Sequence, residues 1–333
     1  MYKGGLALSN EPLGGKPVAD VIVDEVLPCL PPGLRGAIAG LPKEQLDRVH
    51  EIRLRTWRPV MLMAGDDEIH PSPPYVFTDD DALITLQLIA CGSLYAFEDD
   101  LRQGYITIRG GHRVGLVGRV VLFDGGVSTL RDISGFCIRV AHEVLGAADN
   151  VMKYLVKPPR RLYHTLIISP PRCGKTTLLR DVARQASDGV PSLNFQGVRV
   201  GIADERSEIA ACYRGVPQTT CGIRTDVLDA CPKAEGMIML IRSMSPDVVI
   251  TDEIGREEDA LAIREVMCAG VSLVATAHGG SLEEVARRPA LKCLFEGDMF
   301  ERAVILSQAH GPGTIEAILD GGTGKTIIVG PLR

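Results

Sequence analysis

The chain has 333 residues, of which 45% are hydrophobic and 23% charged, and this composition excludes a disordered or fibrous protein. Its formal net charge of -6 gives no overall attraction to DNA or to a bare anionic membrane, which leaves a local basic groove as the only electrostatic route to nucleic acid. Nine cysteines occur without a C-x-x-C pair, which excludes a zinc site or a disulfide framework and indicates reduced thiols.

At roughly 150 residues per domain, the length predicts two domains. Residues 1–15 are glycine-rich without an apolar core, so we expect a flexible leader that is neither a signal nor a transit peptide, and a cytoplasmic protein. Residues 16–145 predict a smaller α+β domain. Its predicted elements are helices at Val18–Leu30 and Ala82–Phe97, the latter N-capped by Asp79, Asp80 and Asp81, and strands at His50–Leu54, Pro59–Met63, Tyr105–Ile108, Val114–Val117, Arg119–Phe123 and Phe136–Val140.

The second part of the chain alternates strands with helices. Residues 146–163, with a predicted helix near Val144–Val156 and the run Pro158–Arg161, are expected to form a linker. Residues 164–333 predict a RecA-like domain with a parallel sheet and helices on both faces. Its predicted strands are Thr165–Ile168, Val198–Ala203, Asp247–Thr251 and Val271–Ala277, its helices are Lys175–Gln185, Ala234–Met244 and Glu257–Ala269, and its added edge strands are Ala303–Leu306, Thr314–Leu319 and Thr326–Val329.

A phosphate-binding loop is predicted between the first strand and the first helix of this domain. The nine residues are Ser169, Pro170, Pro171, Arg172, Cys173, Gly174, Lys175, Thr176 and Thr177. Backbone N–H groups of such a loop surround phosphate, Lys175 reaches the outer phosphates, and the Thr176 hydroxyl binds Mg²⁺, so ATP and Mg²⁺ are the predicted ligands. Ser169 replaces the first glycine of the GxxxxGK(S/T) pattern, but serine is small and the prolines stiffen the loop.

The alternative is a Gly-Lys-Thr turn without function. Gly324–Thr326 is an example, because it is followed by the apolar run Ile327–Val329 and not by a helix.

Two acidic pairs follow predicted strands. Asp252 and Glu253 end a hydrophobic strand like a Walker B motif, where Asp252 holds the Mg²⁺ water shell and Glu253 polarises the attacking water; an acidic helix cap is the alternative. Glu205 follows a strand that lies between the two motifs in sequence, as in the additional-strand class of ATPase, and it competes with Glu253 as the base. A salt-bridged turn is the alternative for Glu205. His278 either senses the γ-phosphate or caps a helix.

Several arginines are candidates for stabilising charge at a subunit boundary, although most arginines are solvated surface residues. They are Arg113, Arg119 and Arg139 in the first domain and Arg224 and Arg242 in the second.

Motifs in both halves carry a resemblance to a known family. They are Leu27–Pro32, His50–Arg55, Gly110–Gly115, Ser169–Asp181, Val200–Ile209, Arg242–Gly255 and Ala275–Gly279. From about Val21 to Leu319 the chain resembles the stage III sporulation protein AA family of endospore-forming bacteria, which is similar to the type II and type IV secretion ATPases.

This resemblance implies a homo-hexamer in which the N-terminal domain covers nucleotide held by the RecA-like domain. It implies a peripheral position at the inner face of a membrane, on the mother-cell side of the channel to the forespore, docked on integral membrane subunits. It further implies phosphate and Mg²⁺ roles for Lys175 and Thr176, a Walker B role for Asp252 and Glu253, and acidic-box, histidine-box and arginine roles for the remaining candidates, Glu205, His278, Arg113 and Arg139.

The sequence leaves two alternative functions open. A RecA-like nucleic-acid motor is disfavoured by the acidic charge, so no nucleic acid is expected as a partner. An ATP-gated scaffold without hydrolysis is compatible with Ser169 and the stiff loop.

Overall fold

The computed structural model describes residues 16–90, 98–124, 126–141 and 143–332, with side chains from 101 onward in the second range. The predicted leader and residues 91–97 of the predicted helix Ala82–Phe97 lie outside these ranges. The helices are α1 Val18–Val21, α2 Pro32–Ala39, α3 Lys43–Leu46, α4 Asp79–Ile89, α5 Glu98–Gln103, α6 Asp149–Leu155, α7 Lys175–Asp188, α8 Lys233–Ser243, α9 Glu257–Cys268, α10 Leu282–Ala286 and α11 Lys292–Glu296.

The strands of the N-terminal part are short except for two. They are β1 Glu51–Arg55, β2 Arg58–Pro59, β3 Met61–Ala64, β4 Asp67–Ile69, β5 Val76–Phe77, β6 Tyr105–Thr107, β7 Arg113–Phe123 and β8 Gly126–Arg139. From the linker onward they are β9 Val156–Lys157, β10 Arg161–Leu162, β11 Thr165–Ser169, β12 Val200–Asp204, β13 Thr225–Asp229, β14 Val248–Thr251, β15 Ser272–His278, β16 Arg302–Ser307, β17 Thr314–Asp320 and β18 Thr326–Leu332.

The N-terminal sheet has the order β4-β3-β1-β8-β7-β6 and is antiparallel. The two strands predicted at Val114–Val117 and Arg119–Phe123 are one strand, β7, interrupted by a bulge. Gly118 explains the continuity, because a Cβ there would lie 2.6 Å from the carbonyl oxygen of Arg131, so only glycine lets the strands stay paired.

The predicted helices Ala82–Phe97 and Val18–Leu30 differ from the prediction, the first in its N-cap residue and the second in its helix type. The cap of α4 is Thr78, whose hydroxyl accepts from the Asp81 N–H at 3.2 Å while the Asp81 carboxylate accepts from the Thr78 N–H at 3.0 Å. The first helix is a short α1 followed by a π-helical turn at Ile22–Val26 and a 3₁₀ turn at Leu27–Cys29. Its apolar face, with Ile22 and Val26 fully buried, packs into the N-terminal core.

The C-terminal sheet is mixed, with the order β13-β12-β14-β15-β11-β16-β17-β18. The first six strands in this order, from β13 through β11 to β16, are parallel to one another. Strands β17 and β18 add antiparallel pairs at one edge, which confirms an α/β architecture with added strands from the tail. The strand that lies between β11 and β14 in the sheet is β15. β12, which lies between the two motifs in sequence, pairs with the far side of β14.

Helices cover both faces of this sheet because its central strands are apolar on both sides. Ile167, Ile202 and Ile250 face the core beside α7, whereas Leu166 and Val249 face the core beside α8 and α9. Every residue of β11, β12 and β14 is buried, which is the pattern expected for a parallel sheet between two helical layers.

The predicted linker 146–163 is packed against the C-terminal core. Val151, Met152 and Leu155 of α6 are fully buried in the cluster that contains the inner face of α7. The Asp181 carboxylate on α7 accepts the Ala148 N–H at 2.8 Å and holds the start of this segment. The predicted boundaries between the two domains and this linker remain predictions. Within the described residues, no helix has the length and apolarity needed to cross a membrane.

Candidate functional site

The carboxyl ends of the parallel strands carry most of the predicted site. β11 ends at the buried Ser169, and α7 begins at Lys175 after five intervening residues. Gly174 has φ 83° and Arg172 has φ 61°, so the chain turns through two left-handed residues before entering the helix. Pro170, Pro171 and Arg172 are exposed, and Cys173 is buried. The first N–H groups of α7, which have no partner within the helix, point towards this loop.

A neighbouring segment between β16 and β17 braces the loop from outside. The Gly313 N–H donates to the Cys173 carbonyl at 2.9 Å, and the Gln308 side-chain amide donates to the Arg172 carbonyl at 2.9 Å. A Cβ at Gly174 would lie 3.0 Å from the backbone nitrogen of Gly313. The loop conformation is therefore fixed by residues more than 130 positions away in sequence.

Lys175 and the two threonines after it lie at the start of α7. Lys175 is only 9% exposed, and its Nζ donates to the Ser169 carbonyl over a long 3.5 Å. Thr176 and Thr177 are half-buried and line a cleft between the N-terminal sheet and α7.

This cleft brings together residues from both halves of the chain. It has a volume of about 380 Å³, and its wall includes Thr176 and Thr177 from α7, Arg113 and Arg139 from the N-terminal sheet, and Glu208. Arg113 and Arg139 thus face the loop-helix junction of their own chain. The other candidate arginines, Arg119, Arg224 and Arg242, are exposed and do not line the cleft; Arg119 pairs with Asp132 on the β7–β8 hairpin.

Two buried carboxylates stand at the ends of adjacent strands. Asp252 follows β14 and is 4% exposed; burial, reinforced by the charge of Asp204, raises its pKa to about 7. Asp204 ends β12 and is fully buried, with its carboxylate accepting the N–H groups of Glu208, Ile209 and Ala210 at 2.9 to 3.0 Å. Burial raises the pKa of Asp204 despite these three bonds.

The two candidate bases have different surroundings. The Glu205 carboxylate is bonded to the buried Lys233 at the start of α8. Burial raises the pKa of Glu205, but the hydrogen bond and charge of Lys233, together with the charges of Arg256 and Arg206, outweigh it, so the net shift is downward. Glu253 is exposed, adopts φ 44°, and accepts from Arg206 at 3.2 Å. The Glu253 N–H donates to the Thr276 hydroxyl at 2.8 Å, which ties it to β15.

His278 ends β15, which pairs with β11, the strand before the predicted phosphate loop. It is the register partner of Ser169 and is exposed, and the next N–H, that of Gly279, donates to the Ser169 carbonyl at 3.1 Å. Strand β15 thus places both Thr276 and His278 at the edge where Ser169, Asp252 and Glu253 also lie.

Comparison with known proteins identifies the family. A family model described as "Sporulation stage III, protein AA" matches residues 24–326. This chain belongs to that family. It is 48% identical over 298 residues to stage III sporulation protein AA of Bacillus subtilis (strain 168), covering 90% of this chain and 95% of the relative. It is also 28% identical over 280 residues to protein SEEDLING PLASTID DEVELOPMENT 1 of Arabidopsis thaliana, covering 83% of this chain and 36% of that protein.

Solved structures of an ATPase and of a pilus retraction motor share the fold of this sporulation-family chain. The Legionella pneumophila ATPase DotB superposes with a TM-score of 0.54 at 15% identity, covering 90% of this chain and 78% of DotB. The pilus retraction motor PilT, solved with bound ADP, superposes with a TM-score of 0.53 at 13% identity, covering 79% and 76%. At these identities the likeness concerns the fold alone.

Sequence reasoning missed four contributors to the site of this sporulation-family protein. They are Lys233, Thr276, Arg180 and the bracing segment 308–313. Of these four, only Lys233 carried a local signal, since it directly precedes the predicted helix Ala234–Met244. Its contact with Glu205 could not be predicted, because that requires knowing which helix follows which strand in space.

Proposed function

We propose that this chain is an ATP-hydrolysing motor of the secretion-ATPase kind. The observation that carries the proposal is the interdomain cleft, in which the first turn of α7 faces Arg113 and Arg139. A helix N-terminus provides N–H donors for phosphate, and guanidinium groups provide the positive charge that a triphosphate requires. Hydrolysis of ATP, with Mg²⁺ as the metal, is the activity that this arrangement supports best.

Phosphate binding is assigned to the loop 169–177 and to Lys175. The Nζ contact with Ser169 at 3.5 Å is at the outer limit of a hydrogen bond, so the ammonium loses little when it turns to the outer phosphates. Because Lys175 is nearly buried, its charge acts on those phosphates with little screening by water.

Mg²⁺ is assigned to the Thr176 hydroxyl and, through water, to Asp252. The residues fit a cation, since the raised pKa of Asp252 reflects a buried carboxylate beside Asp204 that lacks sufficient positive charge. In phosphoryl-transfer sites Mg²⁺ takes most of its ligands from phosphate and water, so two protein groups suffice. When bound, Mg²⁺ neutralises charge on the departing phosphate.

Glu253 is the proposed base that polarises the attacking water. Glu205 is the weaker candidate, because Lys233 occupies its carboxylate and lowers its pKa, and a stronger acid is a weaker base. Glu253 lies next to Asp252 at the end of β14 and is exposed, so water can reach it. His278 at the end of the adjacent strand β15 is proposed to respond to the γ-phosphate.

Assembly into a homo-hexamer that docks on integral membrane subunits is part of the proposal. The sporulation family points to the mother-cell side of the channel to the forespore, and the shared fold with DotB and PilT supports a motor. Arg113 and Arg139 lie in the cleft of their own chain, so the exposed Arg224 and Arg242 are the candidates to act on a neighbouring subunit.

Turnover per subunit, measured against protein concentration with light scattering on the same samples, tests the proposal. We expect turnover to rise as rings assemble, because an arginine supplied by a neighbour contributes roughly 10³-fold to phosphoryl transfer. Mixing Lys175→Ala with Arg224→Ala or Arg242→Ala protein should restore activity at some interfaces. ATP binding without turnover would indicate a scaffold, and acceleration by DNA would indicate a nucleic-acid motor.

A further inference from the structure

An ion pair crosses the interdomain cleft. Arg113 Nη1 donates to Glu208 Oε1 at 2.9 Å, and both side chains are about one-third exposed. A neutral contact lies nearby, in which the Gly110 N–H donates to the Gln218 side-chain oxygen at 3.0 Å. Glu208 and Arg113 both line the cleft that also includes Thr176, so the pair belongs to the wall of the proposed substrate site.

Arg113 is held flat and within reach of two cavities. Its guanidinium stacks over the Tyr105 ring, 3.6 Å from the centroid. It lines the 380 Å³ cleft and also a second cavity of about 450 Å³ whose wall includes Glu205, Arg206 and Arg256. A guanidinium has five N–H donors, so Arg113 can leave Glu208 for another anion while it stays on Tyr105.

Glu208 is fixed on the other side through its backbone. Its N–H donates to the buried Asp204 carboxylate at 2.9 Å, and its carbonyl accepts from Arg180 Nη2 at 2.7 Å. Arg180 is on α7, one turn after Thr176, so the helix that begins at the phosphate loop also holds Glu208 in place. The backbone is anchored, whereas the carboxylate is free to exchange partners.

We propose that Glu208 is the internal counter-ion of Arg113 and that the phosphates of the substrate displace it. This inference rests on the proposed ATP site. Without substrate, the pair joins the two halves of the chain. With substrate, the Glu208 carboxylate lies beside a polyanion and competes with it for the same guanidinium, so Glu208 sets the nucleotide affinity lower than the cleft would otherwise provide.

Binding of a non-hydrolysable ATP analogue with Mg²⁺ to the full chain measures this competition. Glu208→Gln keeps the shape of the side chain and removes its charge, so we expect the dissociation constant to fall about three- to fivefold, the range for a partly exposed ion pair. Glu208→Asp keeps the charge on a shorter stem and should give a smaller gain; it also guards against loss of folding in the first variant.

A double-mutant cycle separates this mechanism from a general charge effect. In an Arg113→Ala background, Glu208→Gln should no longer tighten binding, because there is no guanidinium to release. Glu143→Gln is the matched control, since the Glu143 carboxylate also bonds across the halves of the chain, but to a backbone donor, the Thr220 N–H. It should leave the affinity unchanged.

The outcomes distinguish this inference from the proposed function. If the wild-type chain does not bind the analogue, or if Lys175→Ala binds it equally well, the ATP site itself is wrong. If binding depends on Lys175 but Glu208→Gln leaves it unchanged or weakens it, the counter-ion role is overturned and the ATP site stands. An equal gain with and without Arg113 also overturns the counter-ion role.

Discussion

The sequence Gly-Lys-Thr occurs twice in this chain, and the two copies lie in different structural settings. Gly174 and Gly324 both have a positive φ, 83° and 68°. Lys175 is nearly buried and begins a helix of 14 residues, whereas Lys325 is exposed and leads into strand β18. The three letters alone therefore carry little information about function.

The difference lies in where the backbone N–H groups go. In the second copy, the turn uses its own donors, since the Gly324 N–H donates to the Asp320 carbonyl at 2.9 Å and the Thr323 N–H donates to the Asp320 carboxylate at 3.0 Å. In the first copy, the first N–H groups of α7 have no partner within the helix and point towards the loop before it. A strand before the triplet and a helix after it make the site.

The largest expected effect is on ATP binding, when the lysine of each Gly-Lys-Thr copy is replaced. Lys175→Ala should weaken ATP binding by about 10³-fold or more, because the loop loses the buried cation that is proposed to meet the outer phosphates. Lys325→Ala is the matched control and should bind ATP like the wild type. Equilibrium binding of labelled ATP measures both, and equal affinities for the two variants would refute the assignment of the first copy.

The next largest effect concerns the two acids at the strand ends. Glu253→Gln should retain ATP binding but reduce turnover by about 10²-fold or more, since an amide cannot accept a proton. Glu205→Gln should reduce it less, because Lys233 already holds the carboxylate. Turnover and binding are measured on both variants. A silent Glu205→Gln protein beside an active Glu253→Gln protein would reverse the assignment.

Asp252 should make the stability of the nucleotide-free protein depend on pH. Its pKa of about 7 in the folded protein exceeds its ordinary value of 3.8, so its contribution is complete below about pH 4 and is lost as the pH rises through 7. Asp252→Asn removes this dependence and should be more stable than the wild type at pH 8, by at most about 4 kcal/mol.

Denaturant unfolding at pH 4.5 and at pH 8, without nucleotide or Mg²⁺, measures this difference. A control is Asp247→Asn, because the bond from Arg199 lowers the pKa of Asp247 and its loss should destabilise the protein at pH 8. If Asp252→Asn is also less stable than the wild type at pH 8, the carboxylate is not under the electrostatic stress described above.

Much of the C-terminal fold could be predicted because its signal is local. Strands buried on both faces, such as β11 and β14, appear in the sequence as short continuous apolar runs. The edge strand Thr225–Asp229 was missed, since its residues are half-exposed or exposed and two of the five are aspartates. The place of β15 between β11 and β14 was also beyond reach, because strand order depends on crossovers and not on local pattern.

The candidate site likewise contains residues that the sequence could predict and residues that it could not. The residues 169–177, Asp252 and Glu253 could be chosen from the strand–loop–helix pattern, and the structure places them at one sheet edge. The partners of Glu205, Glu253 and Arg172 could not be predicted, because Lys233, Thr276 and Gln308 reach the site from other elements. The roles themselves remain predictions that the variants above test.

The smallest expected effect is on stability, when the glycine of each Gly-Lys-Thr copy is replaced by alanine. Alanine at either position must adopt a left-handed φ, which costs about 1 kcal/mol of unfolding free energy. At Gly324 a Cβ would meet nothing within 4 Å, so Gly324→Ala should cost about that amount. At Gly174 a Cβ would lie 3.0 Å from the backbone nitrogen of Gly313, which cannot move like a side chain, so Gly174→Ala should cost about 2 kcal/mol.

Gly174→Ala should have a second consequence that Gly324→Ala lacks. The contact with Gly313 belongs to the brace that holds the loop, in which the Gly313 N–H donates to the Cys173 carbonyl. Pushing these strands of backbone apart displaces the N–H groups that are proposed to meet phosphate, so ATP affinity should fall together with stability. Unfolding in urea and ATP binding, measured on both variants, test the two effects separately. Equal losses of stability with unchanged ATP affinity in both variants would mean that the brace does not shape the loop.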